Sequence, residues 1–170
     1  PFGKETNTEW CYLLGAFGVR VMGEKKIITA MPERVGFGNL TGQGFHFYGG
    51  SICYRIPFWA KGGNAYVRIP HYRSAVLEVR VDELGRKTIA YPPYETGLGK
   101  IEEGEHMLEV TAYISRYNAF GPLHQADAKD EWCGPDAWRT QGDAWTDSYR
   151  LASAGLLSAP VITVENGAAG

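Results

Sequence analysis

His106–Ser115 reads HMLEVTAYIS, and along it Leu108, Val110, Ala112 and Ile114 alternate with Met107, Glu109, Thr111 and Tyr113. Successive side chains of a strand point to opposite faces, so a strict period of two predicts a strand with one face on a core and one in water. The signature recurs upstream. Ala75, Leu77, Val79 and Val81 alternate with Val76, Glu78 and Arg80; Ala65, Val67 and Ile69 alternate with Tyr66 and Arg68; and Ile52, Tyr54 and Ile56 alternate with Cys53 and Arg55. Lys25–Ala30 reads as another strand, Trp10–Met22 as two short apolar runs around a Gly-rich break, and Ser148–Ala152 and Leu156–Val164 as the last strands. Glu83-Leu84-Gly85 and Glu102-Glu103-Gly104 read as turns. Residues 35–50 are a glycine-rich aromatic loop that lacks both the GxxxxGK[ST] and the GxGxxG spacing of phosphate cradles. Many short strands, little helical period and frequent Gly, Pro and Asp turns predict an all-β sandwich of two antiparallel sheets.

Composition narrows the function classes. With 170 residues and 44% hydrophobic content, the chain is sized for one domain, residues 1–170, with a real core. A formal net charge of −2 gives no basic footprint for nucleic acid or an anionic membrane, and no apolar run is long enough to span a bilayer. The chain opens on Pro1-Phe2-Gly3, without an initiator Met or a signal-like start, and reads as a piece of something longer. Cys11, Cys53 and Cys133 have no metal-ligand spacing; three buried, reduced thiols are the plainer expectation, with one disulfide and a free thiol as the alternative.

The candidate site lies in Trp132–Tyr149, WCGPDAWRTQGDAWTDSY, where three tryptophans sit among Gly, Pro, Asp and Thr. Gly134-Pro135 and Gln141-Gly142-Asp143 read as turns, so this is loop chemistry carrying core-sized side chains. The rings either anchor the loop to the domain or face a ligand. A sugar presents an apolar C–H face and a rim of hydroxyls, so its site needs an aromatic platform beside planar hydrogen-bonding groups. Tyr117, Trp132, Trp138 and Trp145 supply platforms; Asn118, Asp136, Arg139, Gln141 and Asp143 supply partners, and Asn118 and His124 come close to the centre if the two loops meet. Trp138-Arg139 is the expected centre. A buried tryptophan with an arginine stacked on it would give the same sequence.

Two other readings compete. If the alternating strands are neighbours, Arg55, Arg68, Arg80, Glu78, Glu109, Tyr66 and Tyr113 share an outward face, either solvated with cross-strand ion pairs, or a saccharide groove, or a docking face. Carboxylates crowd the tryptophan loop at Asp127, Asp130, Glu131, Asp136, Asp143 and Asp147, and a glycosidase needs two of them across one cleft. Acidic residues are ordinary in polar loops, however, and no GxSxG elbow accompanies His46, His71, His106 or His124, so a small hydrolase or lyase ranks last.

Residues 48–162 also carry a family resemblance. Val79–Asp82, the Pro-containing return Tyr91-Pro92-Pro93-Tyr94, Gly104-Glu105-His106 followed by Leu108–Tyr113, Asn118, and the closing Gly155-Leu156-Leu157 with Pro160 together resemble the galactose-binding-like jelly-roll domains attached to bacterial glycoside hydrolases, including the sugar-binding domains of the family 2 type. The chain departs from that pattern at Asp82-Glu83-Leu84-Gly85, where the family has a V-N-G turn, and in the tryptophan-rich insertion. The resemblance implies a jelly-roll β-sandwich serving as a non-catalytic accessory domain, which either binds a polysaccharide or oligosaccharide or acts as a structural spacer beside its catalytic domain. It also implies a bacterial enzyme, secreted or at the cell surface rather than cytoplasmic. Calcium is common in such folds, but the sequence shows no acidic ligand cluster that would place one.

Overall fold

Leu108, Val110 and Ala112 lie on one face of a long strand and are fully buried, with Ile114 buried just beyond its end. A computed structural model describes residues 12–126 and 142–165, and in it the chain is all-β. The strands are β1 (Phe17–Met22), β2 (Lys25–Ala30), β3 (Ser51–Arg68), β4 (Tyr72–Arg73), β5 (Val76–Val81), β6 (Lys87–Ile89), β7 (Glu95–Tyr113), β8 (Gly155–Leu156) and β9 (Val161–Glu165). A 3₁₀ turn at Leu40–Gln43 and one helical turn, α1 (Tyr117–Phe120), complete the set.

Five strands form one antiparallel sheet in the order β6-β5-β7-β3-β9. Val79 lies opposite Val110, and Tyr54 opposite Val110 on the other side, so the strands read from alternation are neighbours. The inward residues merge into one core: Ala65, Val67, Leu98 and Ile101 belong to the same buried cluster as Leu77, Val79, Val81 and Leu108. The sheet thus curls over its own inner face. The opposing layer brings Leu156 from the small β4–β8 sheet, and Leu40 and Phe45 from the glycine-rich loop, into that cluster. The β1–β2 hairpin pairs with itself and joins the body through a parallel bridge between Val19 and Phe45.

Three sequence expectations are corrected. Glu102-Glu103-Gly104 is not a turn between strands: β3 and β7 run 18 and 19 residues and pair with each other throughout, with Lys61 opposite Glu103 and Gly63 opposite Ile101. The glycines bend these strands instead of ending them. Gly63 has φ +135, and a Cβ there would stand 2.4 Å from the Glu165 carbonyl oxygen, so only glycine lets β9 pass this closely. The inward parity changes with the bend, from Tyr54 and Ala60 to Ala65 and Val67. Ser148–Ala152 is not a strand; its backbone is held by loop contacts, and the final apolar stretch divides into β8 and β9. Cys53, expected in the core, is a free and exposed thiol, because it takes the same outward parity as Arg55. Cys11 and Cys133 lie outside the described residues.

Candidate functional site

The two segments that flank the tryptophan loop meet. Asn118, in α1, is 3% exposed; its Nδ2 donates to the Ala152 carbonyl at 2.8 Å and its Oδ1 accepts from the Ala152 N–H at 2.8 Å. Three backbone bonds extend the seam: Ala126 N–H to Ala144 O at 2.8 Å, Thr146 N–H to His124 O at 2.7 Å, and Arg150 N–H to Leu123 O at 2.8 Å. The Arg150 guanidinium also donates to the Ala126 carbonyl.

At that seam stand His124 and Trp145, stacked with ring centroids 4.1 Å apart and planes 20° from parallel. Tyr149 lies 4.4 Å from the His124 ring, Phe47 meets Tyr149 edge-on at 5.2 Å, and Lys26 Nζ sits 5.0 Å over the Tyr149 ring. His124 Nδ1 is 2.9 Å from the Thr146 carbonyl, which only accepts, so Nδ1 carries a proton and donates it there. Trp145 Nε1 donates to Asp147 at 2.9 Å. His124 thus touches Trp145, Thr146 and Tyr149 at the end of the tryptophan loop, whereas Asn118 bonds Ala152, three residues beyond it. Asn118 spends both amide atoms on the backbone, so it reaches a ligand only through the loop that it positions. Tyr117 is exposed on the same helical turn. Trp132, Asp136, Trp138, Arg139 and Gln141 lie outside the described residues.

A second feature was not anticipated. Where β5 ends and leaves β7, a surface hollow of ≈ 510 Å³ is lined by Pro57, Phe58, Trp59, Asp82, Glu105, His106 and Met107. Trp59 is 56% exposed and lies directly across from Glu105. In the same hollow His106 Nδ1 is 2.7 Å from Asp82 Oδ2 and Nε2 is 3.0 Å from the Glu102 carbonyl. Both ring nitrogens thus face acceptors, and the Asp82 bond, seconded by the Glu102 carbonyl, raises the His106 pKa above its ordinary range. Burial pushes the Asp82 carboxyl up, but the His106 bond, the Met107 N–H at 2.9 Å and the imidazolium charge together hold it below its ordinary value. The sequence held one signal for this place: Trp59 has the parity of Arg55 and Cys53, the polar face.

That face also carries the expected ion pairs. Glu109 bonds Arg80 at 2.7 Å and Arg55 at 3.3 Å, and Glu78 bonds Arg86 at 3.0 Å. The Arg80 hydrogen bond leads in holding the Glu109 carboxyl low. Among the described residues no three His, Cys, Asp or Glu side chains converge closely enough to hold a metal ion, so no calcium site is derived from them. Among the same residues no helix is long and apolar enough to cross a membrane.

No protein-family model matches the chain, and none of the curated proteins does. Solved structures do. A rhamnosidase from Novosphingobium sp. PP1Y superposes over 95% of this chain and 16% of its own, with a TM-score of 0.50 at 18% identity. The likeness is one of fold. A GH2 β-galacturonidase from Eisenbergiella tayi bound to galacturonate covers 69% of this chain and 21% of its own, at 29% identity and a TM-score of 0.38; its glycerol-bound form gives 28% and 0.39. All are glycoside hydrolase chains, and this chain spans about a fifth of their length or less.

Proposed function

We propose that this chain is a non-catalytic carbohydrate-binding module of a glycoside hydrolase, holding a polysaccharide or oligosaccharide against the attached catalytic domain. The observation that carries the reading is the seam: the backbone bonds from 123–126 to 144–150, with Asn118 bonded to Ala152, fasten the last residues of the tryptophan loop beside the segment that precedes it, at one aromatic cluster. In this proposal Trp138 and Arg139 form the centre, Trp132, Trp145 and Tyr117 add ring surface, Asp136 and His124 Nε2 meet hydroxyls, and Asn118 fixes the loop. The fold-level likeness to part of a rhamnosidase supports an accessory role.

A second reading, a structural domain without a ligand of its own, is favoured by Trp145, whose ring is stacked on His124 and whose N–H is taken by Asp147. An immobilised panel of plant and host polysaccharides separates the two. Selective retention that disappears in a folded Trp138→Ala or Trp132→Ala variant is the expected result. No retention of any glycan, with both variants merely less stable, would mean that the tryptophans are anchors and the domain a spacer.

A further inference from the structure

The outer face of the β3–β7 pair carries a ladder of cross-strand neighbours: Arg55 with Glu109, Pro57 with Met107, Trp59 with Glu105, and Lys61 with Glu103. The first rung is closed by ion pairs. The third is open. Among the described residues neither the Trp59 indole N–H nor the Glu105 carboxylate has a hydrogen-bond or ion-pair partner. Single exposed apolar side chains are ordinary on a protein surface, but Trp59 shares its hollow with Pro57, Phe58 and Met107, so the apolar area is contiguous.

From this arrangement we propose a second saccharide subsite on the sheet face, with Trp59 as the ring platform and Glu105 as the hydroxyl acceptor, selective for sugars that carry no carboxylate. The proposal rests on the carbohydrate-binding reading above and moves part of the binding to a different place. Its chemistry is that of a pyranose: the C–H face stacks on the indole and a hydroxyl donates to Glu105, while the in-plane indole N–H is left to a hydroxyl of the adjoining sugar unit. The platform sits on paired strands, and the polar groups that share its hollow are fixed, because His106 is tied at both nitrogens and Asp82 at both oxygens. A site already ordered loses little freedom on binding. Charge sets the class of sugar. Glu105 lines the hollow, Glu103 follows two residues away on the same face opposite Lys61, and His106 neutralises Asp82, so the hollow repels a uronic acid and accepts a neutral or amino sugar.

The test is calorimetric titration of the whole chain with a panel in which each neutral and amino-sugar oligomer is paired with its uronic-acid counterpart. At least one non-acidic oligomer is expected to bind, its acidic counterpart at least about tenfold more weakly, and Trp59→Ala to weaken binding at least about tenfold without lowering the melting temperature. Glu105→Lys, an exposed change, is expected to lessen the discrimination against the acidic oligomer. Equal binding of the two members of a pair, or wild-type affinity in Trp59→Ala, would overturn the proposal. Binding abolished by Trp138→Ala and untouched by Trp59→Ala would overturn it while leaving the loop site standing. No binding by any oligomer would remove both.

Discussion

Asn118 is a polar residue that the fold buries, and burial of an amide is tolerable only because each of its atoms has a partner on the Ala152 backbone. Replacement by alanine removes both bonds, and Asn118→Ala is expected to cost about 1–3 kcal/mol in denaturant unfolding. Asn118→Asp keeps the acceptor but turns a carboxylate oxygen toward the Ala152 carbonyl, and should cost at least as much. Gly155 is constrained differently. Its φ is +90, and a Cβ would stand 2.6 Å from Leu40 Cγ and 2.6 Å from the Tyr54 hydroxyl, whose oxygen accepts from the Leu156 N–H at 3.3 Å. Gly155→Ala therefore overpacks the core beneath β8 and should cost about 2–3 kcal/mol, read from the same unfolding curves.

At the scale of elements, the junction of β5 with β7 is fastened by ionisation. His106 has a pKa above its ordinary 6.5, so its share of stability is complete below that value and is lost as pH rises through the folded-state value. Asp82 has a pKa below its ordinary 3.8, so its share is complete above that value and is lost as pH falls through the lowered one. Between these limits both partners are charged. Melting temperature measured against pH should decline on both sides of that window, and Asp82→Asn should flatten the alkaline decline. Asparagine suits this position because Asp82 has φ +46, a region that Asn and Asp tolerate better than most residues, and its side-chain oxygen can still accept from the Met107 N–H. A wild-type slope retained in Asp82→Asn would mean that the pair contributes nothing.

For the whole molecule, the two faces of the curled sheet should answer to mutation very differently. Leu108→Ala empties a fully buried position in the shared core and is expected to cost about 2–5 kcal/mol, whereas Met107→Ala, its outward neighbour at 37% exposure, should change stability by about 0.5 kcal/mol or less. Cys53 stands on that outer face, so a thiol reagent should label it in the native protein at the rate seen in denaturant, within about tenfold. Protection of Cys53 until unfolding would contradict the face assignment.

The alternation along 75–82 and 106–115 determined the strands, their inward residues and the all-β class, because a period of two is a local consequence of backbone geometry. Several features were not local. Whether Gly62-Gly63 and Glu102-Glu103-Gly104 end a strand or bend it depends on a partner strand that supplies hydrogen bonds through the bend, and each glycine sequence permits both. Composition marked the tryptophan loop as the place to look, and placed Asn118 and His124 near it only on condition that two loops met. Tertiary structure decided that condition through backbone bonds between residues some twenty positions apart. The hollow at Trp59 joins β3, β5 and β7, and its residues come together only when β5 ends at Val81 and leaves the edge of β7 open. The sequence by itself set which residues are apolar and on which face; the pairing of distant strands decided which exposed groups became neighbours.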